Sequence, residues 1–123
     1  MMLGLEVTYS TGDVVQHGNV PTAADGLREI HQFSLEDKER ITGVKVRAGW
    51  MIDQLTFTTS HQRSIGPFGG PGGSEHKLTV PDQPSTYLAY LSGRVVDIEG
   101  DTCIRYLEFV FAYLAFTPCI AYT

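Results

Sequence analysis

The chain has 123 residues, with 9 Lys plus Arg against 14 Asp plus Glu and a formal charge of −5 at pH 7, a length that suits one domain of about 100–200 residues. A net negative charge has the wrong sign for tracking phosphates and argues against a nucleic-acid binder. Hydrophobic residues at 42% are too many for a disordered chain, and no apolar run approaches the roughly 18–20 residues of a membrane helix.

The N-terminal MMLGLEV lacks a basic region followed by a long apolar stretch, so a soluble chain without a signal peptide is expected, with cytoplasmic location and non-classical export both open. Leu5, Val7 and Tyr9 then alternate with Glu6 and Thr8, the period of a half-buried strand. Thr22 to Ile30 is the best helix candidate, and it is short. A strand is expected at His31 to Leu35, followed by a solvated hairpin turn in the charged run Glu36-Asp37-Lys38-Glu39-Arg40. Ile41, Val44 and Val46 form the next strand, and Leu55 and Phe57 alternate with Thr56 and Thr58 in another. Further strands are predicted around Arg63 to Ile65, His76 to Val80, Tyr87 to Leu91 and Ile104 to Phe111. With helical periodicity almost absent and 13 Gly and 6 Pro punctuating the chain, the pattern predicts an all-β fold. Cys103 and Cys119 lack CxxC spacing and lie in apolar surroundings, which favours buried thiols over a metal site or disulfide. The final stretch, Ala112 to Thr123, is apolar enough to be expected within the domain or in an oligomer interface, with Pro118 confining it to an edge or a bend.

The chain also resembles itself. Leu5-Val7-Tyr9, Leu55-Phe57-Thr59 and Leu107-Phe109-Phe111 share one alternating pattern at spacings of 50 and 52 residues. The register implies a single domain over 1–123 built from repeats of roughly 1–51 and 52–103 and a partial third over 104–123. Four strands per repeat about an axis would limit exposed sheet edges, and the incomplete third copy leaves its sheet to be closed by the tail or by another chain.

Two loops could carry chemistry. Gly66-Pro67-Phe68-Gly69-Gly70-Pro71-Gly72-Gly73 has five glycines in eight residues. It reads either as a flexible hairpin loop or as backbone that approaches a ligand closely with its N–H groups. It is not a phosphate loop, since neither GxxxxGK(S/T) nor a following helix is present. In Gly49-Trp50-Met51-Ile52-Asp53 a tight turn at Gly49 would direct the N–H groups of Trp50 and Met51 outward beside the acceptor-only carboxylate of Asp53, a set suited to polyols. The equally open structural reading has Asp53 capping the turn and Trp50 packed in the core.

His17, His31, His61 and His76 show no metal-ligand spacing, Ser60, Ser64 and Ser74 have no GxSxG context, and Glu6, Asp97, Glu99 and Asp101 form no recognisable hydrolytic pair. No metal, cofactor or catalytic residue is therefore expected.

Over roughly residues 31 to 111, the segments ITGVKVRAGWMIDQLTF, RSIGPFGGPGGSEHKLTV, TYLAYLSG and IRYLEFVF resemble the mannose-type jacalin-related lectins. That resemblance implies a β-prism of Greek-key four-stranded sheets, with the third repeat incomplete here. It further implies metal-free binding of mannose- or glucose-type hexoses at a shallow site between the loops. By position, Asp53 would accept from two sugar hydroxyls, and the amides of Trp50, Met51 and Gly73 would donate, with Gly49 and Gly72 shaping the two loops and the Trp50 ring flanking the sugar. In the next repeat the aspartate position falls on Arg105 and the glycine is displaced to Gly100. In the first repeat His17-Gly18-Asn19-Val20-Pro21 replaces the glycine-rich loop, so one competent site is expected. Such weak sites gain from several copies, which favours a homo-oligomer with glycan partners. The alternative is a β-prism protein-interaction or assembly module that has lost sugar binding.

Overall fold

A computed structural model describes residues 2, 4–18, 31–79, 86–98 and 101–113. The helix expected at Thr22 to Ile30, Cys119, Pro118 and the tail beyond residue 113 lie outside the described residues. Those described form eight strands and no helix: β1 (Gly4–Thr8), β2 (Val14–Gly18), β3 (Ile41–Ala48), β4 (Ile52–Thr59), β5 (Ser64–Gly69), β6 (Ser74–Thr79), β7 (Thr86–Ile98) and β8 (Asp101–Tyr113).

All pairings are antiparallel. β1 pairs with β2 and β7 with β8, while the middle of the chain makes a four-stranded sheet in the order β5-β4-β3-β6. Three strands follow one another by hairpins and the fourth returns beside the first, the connectivity of a Greek-key sheet. Two strands exceed their sequence signal: β7 and β8 each run 13 residues because their pairing is continuous from Thr86↔Tyr113 to Ile98↔Asp101 apart from two irregularities. The start of the apolar tail, Ala112 and Tyr113, thus completes β8.

The core is where alternation is strongest. Val44, Val46, Ile52, Leu55, Phe57 and Ile104 form one buried cluster, with Leu5, Ile65, Phe68, Leu107 and Phe109 packed around it. Cys103 is buried as a thiol. The three sheets meet through backbone as well as side chains: the Met2 amide donates to the Ile52 carbonyl at 2.8 Å, and the Met2 carbonyl accepts from the Ile104 amide at 3.0 Å. Burying Leu55 and Phe57 supplies roughly 1.5–3 kcal/mol each, since apolar surface leaves water without a polar group being stranded.

Two expectations fail in the segment before β3. His31 to Leu35 is not a strand but irregular chain, held by the rings of His31 and Phe33 and by the Ser34 carbonyl, which accepts from Arg63 Nη2 at 3.1 Å, and not by a strand ladder. The Phe33 ring stacks on Phe68 at 5.7 Å and tilts against Phe57 at 5.4 Å. The charged run after it does turn, with the Glu39 amide donating to the Glu36 carbonyl at 3.0 Å and Lys38 at φ 61°, but it is not fully solvated, since Glu39 is 6% exposed.

Candidate functional site

Asp53 owes its position to a break in the ladder. β3 and β4 pair Arg47↔Gln54 and then Ala48↔Ile52, so residue 53 is the extra one on its strand and faces no partner on β3. A bulge of this kind turns a side chain away from the regular pleat. The backbone of Asp53 is nonetheless secured, its carbonyl accepting from the Gly70 amide at 3.0 Å.

The glycine-rich loop meets this bulge. β5 takes up residues 64–69, so residues 70–73 make the connection to β6, and Ser74 pairs opposite Ala48. A Cβ on Gly72 would stand 3.1 Å from the Asp53 carboxylate carbon and 3.2 Å from each of its oxygens. Gly73 has φ +71°, where an L side chain is strained, and a Cβ there would meet the Ala48 carbonyl carbon at 2.5 Å and Asp53 Oδ2 at 2.8 Å. Gly73 is thus required by its backbone angle and by the Ala48 carbonyl as well as by Asp53, while a side chain at position 72 would crowd the carboxylate.

The turn over residues 49–51 closes the same end. The Gly49 amide donates to the Met51 carbonyl at 3.1 Å, and a Cβ on Gly49 would lie 3.7 Å from Gly73 Cα, so the two loops touch. Trp50 is 59% exposed, which overturns the reading that packs it in the core. The structure thus brings Gly49, Asp53, Gly72 and Gly73 into one cluster, with Trp50 and Met51 on its rim.

Two contributors are not assigned to this site by the sequence reading. Arg47 straps the loop down: its Nε donates to the carbonyls of Pro71 at 3.1 Å and Gly72 at 3.2 Å, and its Nη2 to that of Gly73 at 2.9 Å. A guanidinium presents several donors in a fixed plane, so one side chain can hold three consecutive carbonyls. A cationic residue at a strand end beside a glycine-rich loop was the available clue. The second is Arg105 on β8, whose guanidinium carbon sits 5.0 Å from the Trp50 ring centroid.

At the opposite end of β3 and β4, Glu36, Glu39 and His61 place ligand atoms within 4.8 Å of one another, yet a cation already serves them. Arg63 donates from Nε to Glu39 Oε2 at 2.7 Å and from Nη2 to Oε1, and the Thr59 hydroxyl donates to Oε2 at 2.6 Å. The Arg63 guanidinium holds the Glu39 carboxyl well below its ordinary range, helped by Thr59 and the Glu36 amide and opposed by burial; in return Glu39 raises Arg63. His61 Nδ1 lies 3.2 Å from Glu36 Oε2. A divalent ion would have to displace this guanidinium, so the trio is a structural clamp.

Comparison with known proteins bears on this arrangement. A family model described as the jacalin-like lectin domain matches residues 2–97. Among solved structures, a prostate-specific WGA16 glycoprotein lectin superposes with a TM-score of 0.66 at 18% identity, covering 89% of this chain and 71% of that one, a likeness of fold. No curated protein sequence matches the chain.

Proposed function

Because the chain belongs to the jacalin-like lectin domain family, whose members are carbohydrate-binding domains, we propose that it is a non-enzymatic lectin for mannose- and glucose-type hexoses, binding without metal between residues 49–53 and 72–73. The single observation that supports this most is the bulged carboxylate of Asp53 facing glycines that a methyl group would crowd. Adjacent pyranose hydroxyls both donate and accept, and an ionised acceptor makes stronger hydrogen bonds to them than a neutral one. The amides of Trp50, Met51 and Gly73 would donate to the sugar, while the exposed Trp50 ring offers an apolar edge.

Such a shallow site, with a handful of hydrogen bonds, corresponds to about millimolar affinity, or roughly −4 kcal/mol. In this reading residues 1–123 act as one domain, and useful avidity comes from a homo-oligomer presenting several sites. An assembly module working by strand addition is less well supported: β6, at an edge of the four-stranded sheet, carries Glu75, His76 and Lys77 in succession, and charge on an edge opposes pairing with another strand.

The test is a backbone NMR titration with methyl α-mannoside and methyl α-galactoside. Saturable shifts at Trp50, Met51 and Gly73 with the mannoside are expected, and weaker ones with the galactoside. A folded protein whose amides stay fixed with both sugars would remove the lectin reading.

A further inference from the structure

Building on that reading, we propose that Arg105 makes the site selective for acidic glycans, in which a hexose held at Asp53 is followed by a residue carrying a carboxylate or a sulfate. The placement carries the argument. Trp50 belongs to the turn that closes the hexose site, and Arg105 reaches it from another sheet, 5.0 Å from the ring centroid. A guanidinium held over a ring by the cation–π attraction does not use its N–H donors in that contact, so they are available to a further partner. Those donors match the two oxygens of a carboxylate or sulfate.

The charges nearby favour Arg105 over the other cations of this end for that task. Arg47 has its donors committed to the carbonyls of residues 71–73, and Lys45 lies 3.6 Å from Glu75. Arg105 is exposed, and among the described residues no carboxylate forms a salt bridge with it. Because the indole already restricts the guanidinium, less rotamer freedom is lost when an anion binds. On a chain of net charge −5, general attraction for anions is absent, so acidic selectivity must come from a local cation of this kind. The anion belongs on the neighbouring sugar residue and not on the hexose itself, since the latter would bring it against the Asp53 carboxylate.

The experiment compares three disaccharides of one linkage on the intact chain: glucosyl-mannose, glucuronosyl-mannose and 6-sulfoglucosyl-mannose. The wild type is expected to bind one or both acidic probes about tenfold more tightly than the neutral one, the scale of a charge-assisted pair. The acidic arm that shows the gap identifies carboxylate or sulfate. Raising salt should shrink the gap, and Arg105→Ala should bring the acidic-to-neutral ratio to about one, with Arg105→Lys keeping part of it. Equal affinity for all three probes in the wild type overturns the proposal, as does a ratio that survives in Arg105→Ala. If Arg105→Ala weakens all three alike, Arg105 only steadies Trp50 and the acidic selectivity is likewise overturned. Failure of every probe to bind is a different result, which removes the lectin reading beneath it.

Discussion

At one end of the β3–β4 ladder Glu39 lies buried, its two oxygens taken by Arg63 and the Thr59 hydroxyl. At the other end Asp53 sits half-buried on a bulge, with glycine where side chains would crowd it and the guanidinium of Arg47 holding the loop by its carbonyls. Both are carboxylates at the ends of one pair of strands, one just before β3 and one at the start of β4, and their surroundings differ. A charge whose hydrogen-bonding capacity is met inside the protein fastens one segment to another. One at a bulge, in the space that glycines leave beside a strapped loop, stands where the proposed ligand would reach it.

The contrast is broken or sharpened most strongly by Asp53→Ala. Saturable hexose shifts should vanish while the melting temperature moves by less than about 3 °C, followed by NMR and circular dichroism on the same sample. A large loss of stability would instead make Asp53 a second clamp and erase the distinction between the two ends.

Glu39→Gln should give the converse result, a lower melting temperature with hexose affinity unchanged. Its pH dependence has a definite sign. The folded-state pKa of Glu39 lies below the ordinary value of 4.5, so its contribution is complete above that value and is lost as pH falls through the folded one. Wild-type stability should therefore decline below about pH 4.5, and the variant should decline less over the same range. Parallel acid limbs in urea denaturation at pH 7, 4 and 2 would show that Glu39 is not the clamp described.

The smallest effect tests the cleared space itself. Gly72→Ala adds one methyl group 3.1 Å from the Asp53 carboxylate carbon, and it should weaken hexose binding several-fold with almost no change in melting temperature. Unchanged affinity would mean that the carboxylate moves aside freely and that the glycine serves only the loop.

What could be read from the sequence follows the range of the forces involved. Alternation at Leu55 and Phe57 and at Val44 and Val46 announced the strands that became the core, since burial on one face of a pleat leaves a period of two. The family's loop signature brought forward Gly49, Asp53, Gly72 and Gly73, which the fold then gathers. The clamp escaped because Glu39 and Arg63 are 24 residues apart and only the returning chain makes one the counter-ion of the other. In the one-dimensional pattern, Glu39 is simply part of a charged run. Arg47 and Arg105 escaped for the same reason, each acting on a loop that tertiary structure delivers. His31 to Leu35 misled because the same alternation also fits a segment docked by side-chain rings, and pattern alone does not say whether the backbone is paired in a ladder.

The break in register at residue 53 also bears on how the domain could change. On a regular strand every side chain has a neighbour directly across, and altering one asks the other to adjust. A bulge residue has no such counterpart, and the buried Ile52 and Leu55 on either side keep their seats whatever stands between them. Position 53 can thus change without asking a residue across β3 to adjust, and the positions it constrains are instead Gly72 and Gly73 on the neighbouring loop.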